Sequence, residues 1–188
     1  NTNTYRWFVS TPINNYSVTM NIAPYIQIDT TFYSVSGESF PFSFWAIPEH
    51  YKAARNQFPH FVENMKFLEQ LLGPYPFRID KYGSAETYYL GMENQSIIAY
   101  GSTFELNEWG FDNLHFHELT HEWFANLVTA RDWRHWWIHE GITSYIVSLY
   151  AEYLSGGIGQ SSLDKVGISV GHCQGEKRVV HVNECVCL

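Results

Sequence analysis

The residues with the clearest chemical potential are His117, Glu118 and His121, in the run Phe116-His117-Glu118-Leu119-Thr120-His121-Glu122-Trp123. On an α-helix, side chains four residues apart share one face, so the two imidazoles can aim at one point. Neutral imidazole is a good zinc ligand. Glu118 follows His117 directly and lies about 100° further around the helix axis. That is the wrong place for a third ligand beside the two histidines and a suitable place for a general base acting on metal-activated water. After eighteen intervening residues, His121 is followed by Glu140, in Trp136-Trp137-Ile138-His139-Glu140-Gly141. A carboxylate from a second helix completes a His₂Glu set with one position open to water. That is the arrangement of a catalytic zinc site, because closed structural sites use four protein ligands.

These residues need a helix and a scaffold. Between Phe111 and Val128 the apolar residues Leu114, Phe116, Leu119, Trp123, Phe124 and Leu127 recur at mostly three- and four-residue steps, and no Pro or Gly interrupts them. The pattern predicts one buried helix with its start near Asp112-Asn113. Upstream, Tyr16, Val18, Met20 and Ile22 alternate with polar residues and predict a half-buried strand. Further strands are predicted over 25–35 and 40–47, separated by the turn signal Ser36-Gly37-Glu38-Ser39. Pro48 starts a helical region. Pro59 divides it into a short piece and a firmer helix, and Gly73-Pro74 ends it. The stripe Phe61, Val62, Met65, Leu68 and Leu72 reads as core packing. His50 and His60 read as surface residues.

Beyond that helix, Tyr88-Tyr89-Leu90 and Ser96 to Tyr100 read as short strands flanking Gly91-Met92-Glu93-Asn94. A glycine beside a strand often marks a backbone that something approaches closely. On the residues alone, Glu93 reads equally well as a solvated turn residue or as part of a site.

With 188 residues the chain suits one domain, or a domain and a piece. Its 18% aromatic content argues for a packed core. A net charge of −8 argues against nucleic acid or an anionic membrane as partner. No run approaches the ~18 apolar residues of a membrane-spanning helix. The absence of Met at position 1 leads us to expect that the chain begins inside a longer one.

Three motifs, Leu90-Gly91-Met92-Glu93-Asn94-Gln95, His117-Glu118-Leu119-Thr120-His121-Glu122-Trp123-Phe124 and Trp137-Ile138-His139-Glu140-Gly141, together resemble the signature of the gluzincin aminopeptidases. That family includes alanyl and leucyl aminopeptidases and leukotriene hydrolase. Asn126 to Thr129 and Asp132-Trp133 also fit, and the resemblance runs from about Tyr5 to about Leu154. It implies an α+β fold, with 1–27 as the last strands of a saddle-shaped β domain. Residues 28–155 would be the first half of a thermolysin-like zinc catalytic domain, and 156–188 a linker-like, unmatched tail.

The resemblance implies a metallo-aminopeptidase that hydrolyses the first peptide bond of peptides with a free N-terminus. One zinc ion would sit on His117, His121 and Glu140, with Glu118 as base. Glu93 would bind the substrate's α-amino group, while Gly91 and Met92 line the substrate backbone. Glu122 and Asp132 are candidates to orient the ligands. His115, His135 and His139 read as structural or supporting residues.

The chain also departs from the family. Leu90 stands where its loop commonly carries Gly. A transition-state tyrosine, a saddle-domain glutamine and a C-terminal helical domain are expected outside these residues. A zinc-binding but catalytically incomplete fragment or interaction module is therefore the alternative. An endopeptidase of thermolysin type is disfavoured by Glu93 and the 18-residue gap to Glu140, taken with the resemblance. The tail holds Cys173, Cys185 and Cys187 with His172 and His181 nearby, at spacings that fit no zinc pattern. A truncated or frame-shifted C-terminus is the simpler account of it.

Overall fold

The computed structural model describes Thr4, residues 6–101, residues 103–157, and the backbone of two short strands at 168–172 and 178–182. Five strands form one mixed sheet in the order β1-β2-β3-β5-β4. Strands β1 (Ile26–Tyr33) and β2 (Ser39–Ala46) make an antiparallel hairpin, with Ile26 opposite Ala46 and Tyr33 opposite Ser39. Its turn uses Gly37 at φ 85°, a left-handed conformation that glycine adopts without steric cost. Strand β2 then runs parallel to β3 (Tyr82–Glu86), and β3 parallel to β5 (Ile98–Tyr100). Parallel neighbours need a long crossover, supplied between β2 and β3 by helix α1 (Tyr51–Leu72). The two-residue strand β4 (Gly91–Met92) closes the far edge, antiparallel to β5.

The core lies between sheet and helices. Helix α1 buries Ala54, Phe58, Phe61, Met65 and Leu68, spaced alternately four and three residues apart as a single apolar stripe requires. Opposite them, Phe42 and Tyr82 pack with ring centroids 4.4 Å apart, and Phe44 meets Phe61 at 5.2 Å. The helix passes straight through Pro59, so the predicted division there is corrected. The proline removes one N–H from the helix ladder, but the buried residues on both sides hold the helix together. Gly73, at φ 91°, ends it and donates its N–H to Glu69 O.

On the same side lie helix α2 (Asn113–Thr120) and helix α3 (Trp137–Ser155). They are joined through aromatic stacking, with Phe116 on Tyr150 at 4.3 Å between ring centroids. Helix α3 ends at Gly156 in the left-handed conformation, a common helix stop.

Three other sequence expectations change. The strand at Tyr16–Ile22 is absent: Asn15–Ser17 is a short 3₁₀ turn, and Val18, Met20 and Ile22 are 62–83% exposed. Ser17 is the buried residue instead, because it is pinned to the side chains of Asn94 and Asn126 and no described strand lies alongside to bury the apolar face. The boundary at Gln27 falls inside β1. Beyond Leu90, the strand is Gly91–Met92 itself, and Tyr88 to Leu90 form a bend. In the tail, strands β6 (Ile168–His172) and β7 (Arg178–Val182) pair antiparallel. Most of the linker-like segment, and the side chains of the cysteines, His172 and His181, lie outside the described residues.

Candidate functional site

Helix α2 starts where Asp112 caps it, with Oδ1 accepting from the His115 N–H at 3.0 Å. The other carboxylate oxygen accepts from Gln57 Nε2 of α1 at 3.0 Å and from the Tyr100 hydroxyl of β5. The helix is thus tied at its first turn to both the sheet and α1. His115 points inward and is fully buried, flat against Phe61 and hydrogen-bonded to Asn64 and Tyr82. Burial pushes its pKa well down, so it is a neutral core residue.

His117 and His121 sit one turn apart on the other face, with their Nε2 atoms 3.0 Å from each other. The regular helix is shorter than its apolar pattern predicts and ends at Thr120. The chain then widens into π-type turns, with Asn126 N bonded to His121 O and Val128 N to Trp123 O. The departure fixes the second histidine. His121 Nδ1–H donates to the carbonyl of Phe124 at 3.1 Å, and the Thr143 hydroxyl lies 3.2 Å from the same nitrogen. A carbonyl can only accept, so Nδ1 carries the proton and Nε2 faces His117.

Helix α3 brings Glu140 to the same point. Its Oε2 lies 3.4 Å from His117 Nε2 and 3.5 Å from His121 Nε2. The donor set fits a zinc ion: ligands about 2.0–2.1 Å from a tetrahedral zinc stand about 3.3 Å from one another. The charges fit as well. Burial raises the pKa of Glu140, but its hydrogen bonds to His117 and His121 and their charges outweigh that and hold it well below the usual carboxylate range. Burial alone would lower His121. Its hydrogen bond to Glu140 and the charges of Glu93, Glu140 and Glu118 outweigh burial and raise it to about 9. The cluster gathers three carboxyl groups and two imidazoles, a donor set that would suit a divalent cation.

Glu118 and Glu93 complete the cluster. Glu93, Glu118 and His121 each offer an atom within 4.8 Å of the other two. Glu118 is 6% exposed; burial, reinforced by Glu93 and Glu140 and opposed by His121, raises its pKa to about 8. Gly91 lies against it. A Cβ at this position would collide with Glu118 Oε1 and come within 2.7 Å of Leu114 Cδ1. The short strand therefore reaches the helix only because residue 91 is glycine, with Leu90 turned outward and 70% exposed. Met92 is half-buried beside it.

The proposed supporting residues lie elsewhere. Glu122 is fully buried, accepting from Ser96 N at 2.7 Å and Asn126 Nδ2 at 3.3 Å, so it anchors the turn after Glu93. Asp132 caps the 3₁₀ turn Trp133–His135 and pairs with Arg134 and His135. The contacts that orient His121 come from the Phe124 carbonyl and from Thr143, neither of which the sequence marked for that role. The available signal was spacing: Thr143 follows Glu140 by three residues, on the same helix face. His139 accepts from Ala130 N at 2.8 Å and links the following loop to α3.

The Peptidase family M1 domain matches residues 57–168. The chain belongs to peptidase family M1. It is 32% identical over 106 residues to aminopeptidase B of Mus musculus, covering 54% of this chain and 16% of that protein. It is 29% identical over 104 residues to leukotriene A-4 hydrolase of Xenopus laevis, covering 54% and 17%. The chain thus spans about a sixth of the length of these curated relatives. Among solved structures it resembles an M1 zinc metallopeptidase from Deinococcus radiodurans, with a TM-score of 0.57 and 22% identity over 76% of this chain and 31% of that one. Legionella pneumophila aminopeptidase A gives a TM-score of 0.58 at 18% identity over 69% and 17%. The mixed sheet and helices are those of the M1 catalytic fold. No described helix is long and apolar enough to cross a membrane.

Proposed function

We propose that this M1 chain carries the reaction centre of a zinc aminopeptidase, which removes single residues from peptides with a free N-terminus. The observation that carries the reading is the convergence of His117, His121 and Glu140 on one point, with Glu118 and Glu93 beside it. His117, His121 and Glu140 would hold one zinc ion, which when bound acts as a Lewis acid and lowers the pKa of water towards ~7.

The chain's own groups do the rest. Glu118, buried beside the ligand pair, takes a proton from the attacking water and passes it to the leaving amine. Glu93 places a carboxylate beside the centre, where it binds the α-ammonium group and sets the first peptide bond over the reacting groups. Gly91 and Met92 line the substrate backbone on the edge strand β4. The names of the relatives support a peptide substrate, since aminopeptidase B and M1 metallopeptidases recur among them.

The test is hydrolysis of an aminoacyl anilide by the zinc-loaded chain. Glu118→Gln is expected to keep zinc and lose turnover by about 10²–10⁴-fold. Near-wild-type turnover in that variant would remove Glu118 from the reaction. Stoichiometric zinc with no turnover in the unaltered chain would favour a zinc-binding module.

A further inference from the structure

Glu93 is held by a part of the chain far away in sequence. Tyr16 donates its hydroxyl to Glu93 Oε1 at 3.3 Å, and its ring leans on Trp136 with centroids 5.8 Å apart. The neighbouring Ser17 Oγ donates to Asn126 Oδ1 at 3.0 Å. Asn126 in turn donates through Nδ2 to the backbone carbonyl of Glu93 at 2.8 Å. Asn94 Nδ2 returns to the Ser17 carbonyl at 3.3 Å. Ser17 and Asn126 are both buried. The 3₁₀ turn Asn15–Ser17, the loop at Glu93-Asn94 and the π segment therefore form a closed ring of hydrogen bonds around one carboxylate.

We infer that Tyr16 is a positioning residue for recognition of the substrate's free amine, holding one oxygen of Glu93 so that the carboxylate faces the N-terminal ammonium group. The inference rests on the proposed role of Glu93. Two observations favour a functional clamp over simple packing. The ring of hydrogen bonds fixes both the backbone and the side chain of Glu93. The hydroxyl also stays protonated: burial, then the charge of Glu93, push the Tyr16 pKa up, so Tyr16 donates without adding charge. Removing the hydroxyl frees the carboxylate to rotate, and binding of a free amine then loses orientation as well as one hydrogen bond.

The test uses the zinc-loaded 188-residue chain and two probes, leucinamide and N-acetyl-leucinamide, with dissociation constants measured by calorimetry. The unaltered chain is expected to prefer the free amine, and Glu93→Ala to abolish the preference. Tyr16→Phe, which keeps the ring on Trp136, is expected to reduce the preference about five-fold. Its affinity for the acetylated probe, zinc content and melting temperature should not change. Ser17→Ala, which loosens the ring one contact further away, should reduce the preference in the same direction by about two-fold. A preference that survives intact in Tyr16→Phe but is lost in Glu93→Ala overturns the clamp and leaves the aminopeptidase reading standing. Equal binding of both probes by the unaltered chain overturns both.

Discussion

The two halves of the proposed site, one for the metal and one for the substrate amine, are built by different means. The metal side, His117, His121 and Glu140, stands on two helices whose positions are set by apolar packing: Phe116 of α2 lies on Tyr150 of α3, and α1 backs both through Phe61 and Phe67. The amine side, Glu93, stands on a loop after a two-residue strand and is held by side-chain hydrogen bonds from Tyr16 and Asn126. Helical spacing and a stacked core can place two imidazoles to within a fraction of an ångström using local rules. A loop carboxylate has no such rule and needs polar partners from wherever the fold brings them. Damage to packing should therefore reach the metal side first, and damage to polar contacts should alter selectivity without unfolding the chain.

The strongest way to break this comparison is Phe116→Ala. Phe116 is fully buried, and deleting its ring should destabilise the fold by about 3–5 kcal/mol. Thermal or denaturant unfolding checks the stability, and zinc titration checks that metal affinity falls with it. Retained zinc affinity in a chain that has lost this packing would show that the ligands do not depend on the α2–α3 contact.

The sequence displayed the metal side well, for the same reason that packing controls it. The four-residue spacing of His117 and His121, and the capping Asp112, are local signals that a helix turns directly into geometry. The extent of the helix was not legible. The apolar rhythm of the sequence runs on past Thr120, but the backbone leaves the α conformation there, so Trp123 is buried while Leu127 is exposed. Pro59 misled in the opposite sense, because buried neighbours carry α1 through it. At Tyr16–Ile22 the alternation predicted a strand, yet its polar member Ser17 is the buried one. Tyr16 and Ser17 reach Glu93 and Asn126 across 77 and 109 residues of sequence, and no periodicity encodes a contact of that kind.

A smaller effect sharpens the comparison inside the metal side. Thr143→Val removes a hydroxyl 3.2 Å from His121 Nδ1 with little change of volume. Loss of such a supporting contact is expected to weaken zinc affinity by about ten-fold or somewhat more, with the melting temperature of the metal-free chain barely altered. Asp132→Asn is the contrast, because that carboxylate serves Arg134 and His135; its zinc affinity should match the unaltered chain in the same titration. Equal losses in both variants would mean that the loop carrying Asp132 supports the site after all.

The most direct test of the central claim is the zinc content of the purified chain beside that of Glu140→Gln. His117, His121 and Glu140 acting as one ligand set predicts stoichiometric zinc in the first and at least a ten-fold weaker hold in the second. Equal zinc retention by both chains would show that the three side chains converge without forming a metal centre.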